Sequence, residues 1–194
     1  ARVTVTSTRV ETIDTDGQPN PHIWFDPTNA SVMVANLADA MADALPDHAP
    51  EIRRRAQAYQ RELAELDHWI QTRIATLERP ELVTDHDAFG YYVARYGLTF
   101  VGSVIPGFDS TAEVSAGDLN RLVERVRAEG VRAVFTERSL PARAARVLAR
   151  RAGVEVVTGD DGLYGDSLGP ADSDGATYLA MMRHNTNSIV EHLS

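Results

Sequence analysis

The chain has 194 residues, 43% of them hydrophobic, and its 28 acidic against 19 basic residues give a formal charge of −9. All 19 basic residues are arginine and none of the 194 is cysteine. That balance argues against a nucleic-acid partner, whose phosphates need a basic face, and it rules out thiolate zinc sites and thiol catalysis. No run of about 18 apolar residues is present to cross a membrane, and this length buries one good core or two small lobes.

In chain order, residues 2–13, "RVTVTSTRVETI", alternate β-branched and polar residues and predict a strand, with a turn at Asp16-Gly17. Asp26 can cap the next helix and Pro27 suits its first position. Val34, Leu37, Ala38, Met41 and Leu45 then recur at helical spacing until Pro46. A second helical stripe, Ile52, Ala56, Tyr59, Leu63, Leu66, Ile70 and Leu77, runs through residues 50–78. At 1.5 Å per residue that helix is roughly 40 Å long, the proportions of a strut between two bodies.

After Pro80 the pattern changes. "ELVT" (81–84), "LTFVGSV" (98–104), "VRAVFT" (131–136) and "VEVVT" (154–158) are short apolar strands. Helical patterns at 87–96, 116–129 and 141–152 lie between them, the second with Ser115 as its cap, and a last helix covers 177–193. Strands alternating with helices predict βαβ units and a parallel sheet, whose ligands gather beyond the carboxyl ends of the strands. The residues placed there are His86 in "TDHDAF", Glu137 in "FTERS" and Asp166 in "GLYGDSLGP". Imidazole and carboxylate from separate loops suit zinc or manganese. Each also has a plain structural reading: His86 as a helix-start residue, Asp166 as a turn residue, Glu137 as a capping or surface carboxylate. Asp85 and Asp87 could cap the helix after His86 or orient its ring.

His48, His68, His184 and His192 have no partner at ligand spacing, and there is no HExxH, no phosphate loop and no GxSxG. "DTDG" and "DSDG" lack the rest of a calcium loop and read as turns.

Three segments carry a resemblance that no single spacing does. "NPHIWFDP" (20–27) is similar to the "DPHxWxDP" segment of zinc- and manganese-binding solute-binding proteins of ABC importers. "VTDHDAFGYYVARYGL" resembles their third-ligand segment, and "GDSLGP…TYLAMMRHNTNSI" their C-terminal stretch. The resemblance implies an α/β fold: a C-terminal lobe (80–194) with a four-stranded parallel sheet, a long linker helix (50–79) and a remnant of an N-terminal α/β lobe (1–49). It implies metal held by His22, His86 and Asp166, with Glu137 behind them, and a first ligand on residues preceding Ala1. A histidine at position 86, where manganese-preferring members often carry glutamate, favours Zn2+ over Mn2+.

The function so implied is capture of a divalent metal and its delivery to an ABC permease. The protein would sit in the periplasm or outside the cell, held at the membrane through the permease or a lipid anchor, its signal sequence not in this chain. Exposed apolar surface on the N-terminal remnant would allow a dimer. A zinc-dependent hydrolase is the rival, since three protein ligands and an open position make a catalytic zinc. A manganese-specific binding protein or adhesin of the same fold is the other alternative.

Overall fold

A computed structural model describes residues 3–15 and 17–194. Two residues on either side of the turn at Gly17 pair as a minimal hairpin, β1 (Asp14–Thr15) and β2 (Gln18–Pro19). The strand expected over 2–13 does not form in its described part. Residues 6–9 turn instead, with Thr8 and Val10 donating backbone N–H to Val5 and Ser7. Alternation marks a half-buried strand only when a neighbouring edge is available to pair with, and among the described residues no strand pairs with this segment.

Helix α1 (Pro27–Ala44) starts as expected: Asp26 accepts from the Thr28 N–H at 2.7 Å and Pro27 occupies the first turn. Helix α2 (Ala49–Ile74) runs back along α1. Its 26 residues make it about 39 Å long, and it ends four residues before the expected boundary, where Thr76 and Leu77 close tight turns onto Arg73 and Ile74. The two halves of α2 do different work. Its first half pairs with α1, whose Leu37 and Met41 are left exposed, with Leu45 just beyond its end, along a groove also lined by Ile52 and Tyr59. Its second half, through Leu66, Ile70 and Ile74, is buried with the main core.

That core covers one face of a sheet, and a second apolar cluster covers the other. Strands β3 (Glu81–Thr84), β4 (Thr99–Ser103), β5 (Ala133–Phe135) and β6 (Glu155–Val157) lie in the order β4-β3-β5-β6, every pair parallel. Helices α3 (Gly90–Tyr96), α4 (Ala116–Ala128) and α5 (Arg143–Ala152) make the crossovers, and α6 (Tyr178–Leu193) closes the chain. Strand alternation divides the side chains between the faces. Leu82, Ala133 and Phe135 pack with Tyr92 of α3, Met182 and Ile189 of α6, and α2. Val83, Val101 and Val134 pack with Leu122 and Val126 of α4 and Leu148 of α5. Each such leucine or valine contributes about 1.5–3 kcal/mol by leaving water.

One polar clamp fixes α3 to α2. Arg95 donates to both oxygens of Asp67, at 3.0 and 2.6 Å, and the Tyr96 hydroxyl donates to the same carboxylate at 2.9 Å. Burial opposes the Asp67 charge, but Arg95 and Tyr96 outweigh it and hold the carboxyl below its ordinary range. A carboxyl depressed on folding stabilises above its unfolded pKa, and that stability is lost as pH falls through the folded value. Asp67→Asn should therefore lower stability in urea denaturation at neutral pH by about 1–2 kcal/mol. The gap from the parent chain should narrow as acid titrates Asp67.

Candidate metal centre

Four loops meet beyond the carboxyl ends of β3 and β5. The first runs from the β1–β2 hairpin into α1. Asn20 anchors it: its backbone N–H donates to Ile13 O at 2.8 Å, and its carbonyl accepts from the buried Tyr91 hydroxyl at 3.0 Å. Asn20 Oδ1 accepts from the His22 backbone N–H and lies the same 2.9 Å from His22 Nδ1. Phe25 then seats on Phe89 with ring centroids 4.3 Å apart, which ties this loop to the one after β3.

The second loop leaves β3 with Asp85 and His86. Asp85 is neither a helix cap nor a ring-orienting group. Its Oδ1 accepts from the His86 N–H at 3.0 Å and its Oδ2 from the Glu137 N–H at 2.6 Å, so it bridges the ends of β3 and β5. Thr84 Oγ1 donates to His86 O at 2.7 Å. With residues 85–89 held this way, α3 begins at Gly90 without a side-chain cap, three residues later than expected.

Glu137, directly after β5, presses one carboxylate oxygen against His86 Nδ1 in a buried ion-pair contact. Asp166 sits in the fourth loop. Asn185 of α6 holds the root of that loop, accepting from Tyr164 N at 2.9 Å and donating to Tyr164 O at 2.8 Å. Gly165 passes so close to the Glu137 carboxylate that a Cβ there would overlap it.

The loops bring His22, His86 and Asp166 together. His86 Nε2 lies 3.3 Å from His22 Nε2, and Asp166 Oδ1 lies 3.3 Å from His22 Nε2 and 3.7 Å from His86 Nε2. A point equidistant from these three atoms is about 2.0 Å from each, within the roughly 2.0–2.2 Å expected of zinc bonded to nitrogen or oxygen. His86 is fully buried and His22 nearly so, while the Asp166 side chain is 45% exposed. Asp166 borders a cleft of about 260 Å³ shared with Trp24, Leu168, Tyr178 and Met181.

Proton accounting gives the cluster its chemistry. A backbone N–H can only donate, so the Asn20 atom facing His22 N is an oxygen, and the His22 Nδ1 beside it must carry the proton. Glu137 imposes the same tautomer on His86. When both rings are neutral, both Nε2 atoms therefore carry lone pairs, facing each other and a carboxylate oxygen, so that three acceptors converge.

Burial, and then the nearby His86, hold the His22 pKa down at about 4 against the pull of Asp166, so this ring is neutral at ordinary pH. Burial also opposes charge on His86, but the Glu137 contact and the charges of Glu137, Asp166 and Asp85 together raise it. Asp85 is pushed up to about 7 by burial and by the Glu137 charge, against its two backbone donors.

Residues 1–192 match the model of the ZnuA family, the periplasmic component A of the zinc-uptake complex. The chain belongs to this family. It is 34% identical over 179 residues to the zinc-binding protein TroA of Treponema pallidum, and 31% identical over 179 residues to the manganese-binding lipoprotein MntA of Bacillus subtilis. Each match covers 90% of this chain, which spans only 58% of the length of either relative. A solved structure of periplasmic zinc-binding TroA from Treponema pallidum superposes with a TM-score of 0.88 at 29% identity, covering 97% of this chain and 69% of that one. A periplasmic metal-binding protein from Candidatus Liberibacter asiaticus shares the fold at a TM-score of 0.86 and 21% identity, covering 100% and 71%. The ZnuA family is a metal-binding component of a transport system and not an enzyme family.

Among the described residues, the other histidines stand apart from any cluster of three metal-ligating groups. His184 Nε2 donates to Gly162 O at 2.9 Å and His192 Nδ1 lies 3.3 Å from Glu155. Asn20, Asn185 and Gly165 are the site residues that sequence reasoning passed over. Only Asn20 had a signal, an amide two residues before a histidine, where it can close a side-chain turn.

Proposed function

We propose that this chain captures a divalent transition metal, Zn2+ in preference to Mn2+, and hands it to an ABC permease outside the cytoplasm. His22 Nε2, His86 Nε2 and Asp166 Oδ1 are its ligands, with Glu137 fixing His86 from behind. The observation that carries this reading is the convergence of three buried or half-buried acceptors whose proton-bearing atoms are turned away. Two imidazoles and one carboxylate suit zinc better than manganese, which favours oxygen. Membership of the ZnuA family and the zinc named in TroA point the same way. In this reading α2 links a C-terminal metal-binding lobe to the α1 region, whose exposed apolar groove is the face of the expected dimer. Location in the periplasm or on a lipid anchor follows the family and MntA.

The same geometry speaks against a hydrolase. Glu137, the nearest candidate base, lies on the Nδ1 side of His86, away from the atoms that would face a metal-bound water. Transport without turnover is the better use of the site.

Calorimetric titration with Zn2+ and with Mn2+ tests the reading. One zinc per chain should bind, tighter than manganese. Protons compete with the metal, because a protonated imidazole has no lone pair to give. With His86 raised above 6.5 and His22 lowered to about 4, affinity should decline with a one-proton slope as pH falls through the His86 value. The second proton should enter only near pH 4. Absence of zinc binding at pH 8, or binding unchanged between pH 8 and 5, would overturn the assignment.

A further inference from the structure

The two histidines at the centre are backed by unlike acceptors. His86 Nδ1 faces the Glu137 carboxylate, and His22 Nδ1 faces the Asn20 amide oxygen at 2.9 Å. Asn20 is 2% exposed and is fixed from every side the structure describes. Ile13 O and the Tyr91 hydroxyl hold its backbone, the His22 N–H fixes the sense of its amide, and its Nδ2 lies where a Cβ on Gly90 would sit 2.7 Å away. The φ angle of Gly90 is not positive, so what glycine supplies there is room for the Asn20 amide.

We infer that Asn20 is a positioning residue for metal capture: it locks His22 in the tautomer that presents the Nε2 lone pair, and as a neutral acceptor it leaves His22 the weaker of the two nitrogen donors. The physical ground is the difference between the acceptors. A carboxylate draws the Nδ1 proton toward itself and raises the donor strength of the opposite nitrogen, and an amide oxygen does so much less. The pair is thereby graded, with one firmly held nitrogen at His86 and one that yields more readily at His22. For a protein that must give up its cargo, that grading keeps affinity below what two carboxylate-backed imidazoles would reach. This inference rests on the metal-capture reading above.

Two variants and two measurements test it. Asn20→Asp keeps shape and acceptor but adds charge, and Asn20→Ala removes the acceptor. Long-range ¹H–¹⁵N correlation spectra of the metal-free proteins read the imidazole tautomers, and stopped-flow transfer of Zn2+ to a chelator reads release. The parent chain and Asn20→Asp should show His22 protonated at Nδ1, and Asn20→Ala should lose that signature and bind zinc roughly 10–100-fold more weakly. Asn20→Asp should release zinc about tenfold more slowly than the parent chain. An unchanged His22 tautomer in Asn20→Ala, or release from Asn20→Asp at the parent rate, overturns the inference. Failure of the parent chain to bind zinc overturns the capture reading instead, and the tautomer spectra still decide what Asn20 does. Should Asn20→Ala fail to fold, the near-isosteric Asn20→Asp carries the test alone.

Discussion

Replacing His86 by alanine should weaken zinc binding by roughly 10²–10³-fold, the share of one ligand when a four-ligand zinc site is worth about 10–16 kcal/mol. The same change should destabilise the metal-free protein. Glu137 is almost completely buried and His86 is its only ion-pair partner among the described residues, so the truncation leaves a buried carboxylate uncompensated, a defect of about 3–5 kcal/mol unless it takes up a proton. Asp166→Asn separates the two effects. Its side chain is 45% exposed, so its contacts with the two imidazoles contribute little to folding. It should lower zinc affinity while leaving the thermal midpoint nearly unchanged. Calorimetry with scanning thermal unfolding on the three proteins makes the comparison, and parent-like zinc affinity in His86→Ala would remove this residue from the site.

The second large effect is expected at a residue with no side chain. Gly165→Ala would drive a methyl group into the Glu137 carboxylate. Neither party has room to move: Glu137 is fixed through Asp85 and pressed on His86, and the root of the Gly165 loop is fixed by Asn185. Overpacking of this kind costs about 1–3 kcal/mol, and the relief available is to swing the loop outward, which takes Asp166 with it. The variant should lose stability and at least tenfold in zinc affinity together. An alanine protein with parent-like values for both would show that the loop yields freely.

How far this could be read beforehand varied with the kind of information needed. "ELVT" was legible to the residue, because a strand buried on both faces of a parallel sheet is a continuous apolar run bounded by Pro80 and polar loops. Residues 3–13 form no strand despite their alternation, which describes a strand's surface and says nothing of its partner. The late start of α3 was hidden for a related reason. Asp85 has the chemistry of a cap, and only the parallel pairing of β3 with β5 places the Glu137 N–H where Asp85 reaches it first.

The three acceptor atoms were recoverable from side-chain chemistry, strand edges and the resemblance of three segments. Their orientation was not. It depends on Asn20 and Asn185, amides outside the usual list of metal ligands, and on Gly165, whose contribution is the absence of a Cβ. Such residues show their role only as distances to atoms far along the chain.

His22 and His86 are 64 residues apart, and Asp166 lies further along still. An ion bound by all three is thus a reversible staple across most of the chain, and it is present only when the whole chain is folded. A metal that binds the native state alone adds about 2.7 kcal/mol of stability at a hundredfold excess over its dissociation constant. In the metal-capture reading, the metal-free chain should open more often and be cut more readily by proteases than the loaded one. Under the proposed function, resistance of this protein to proteolysis should therefore rise with zinc supply.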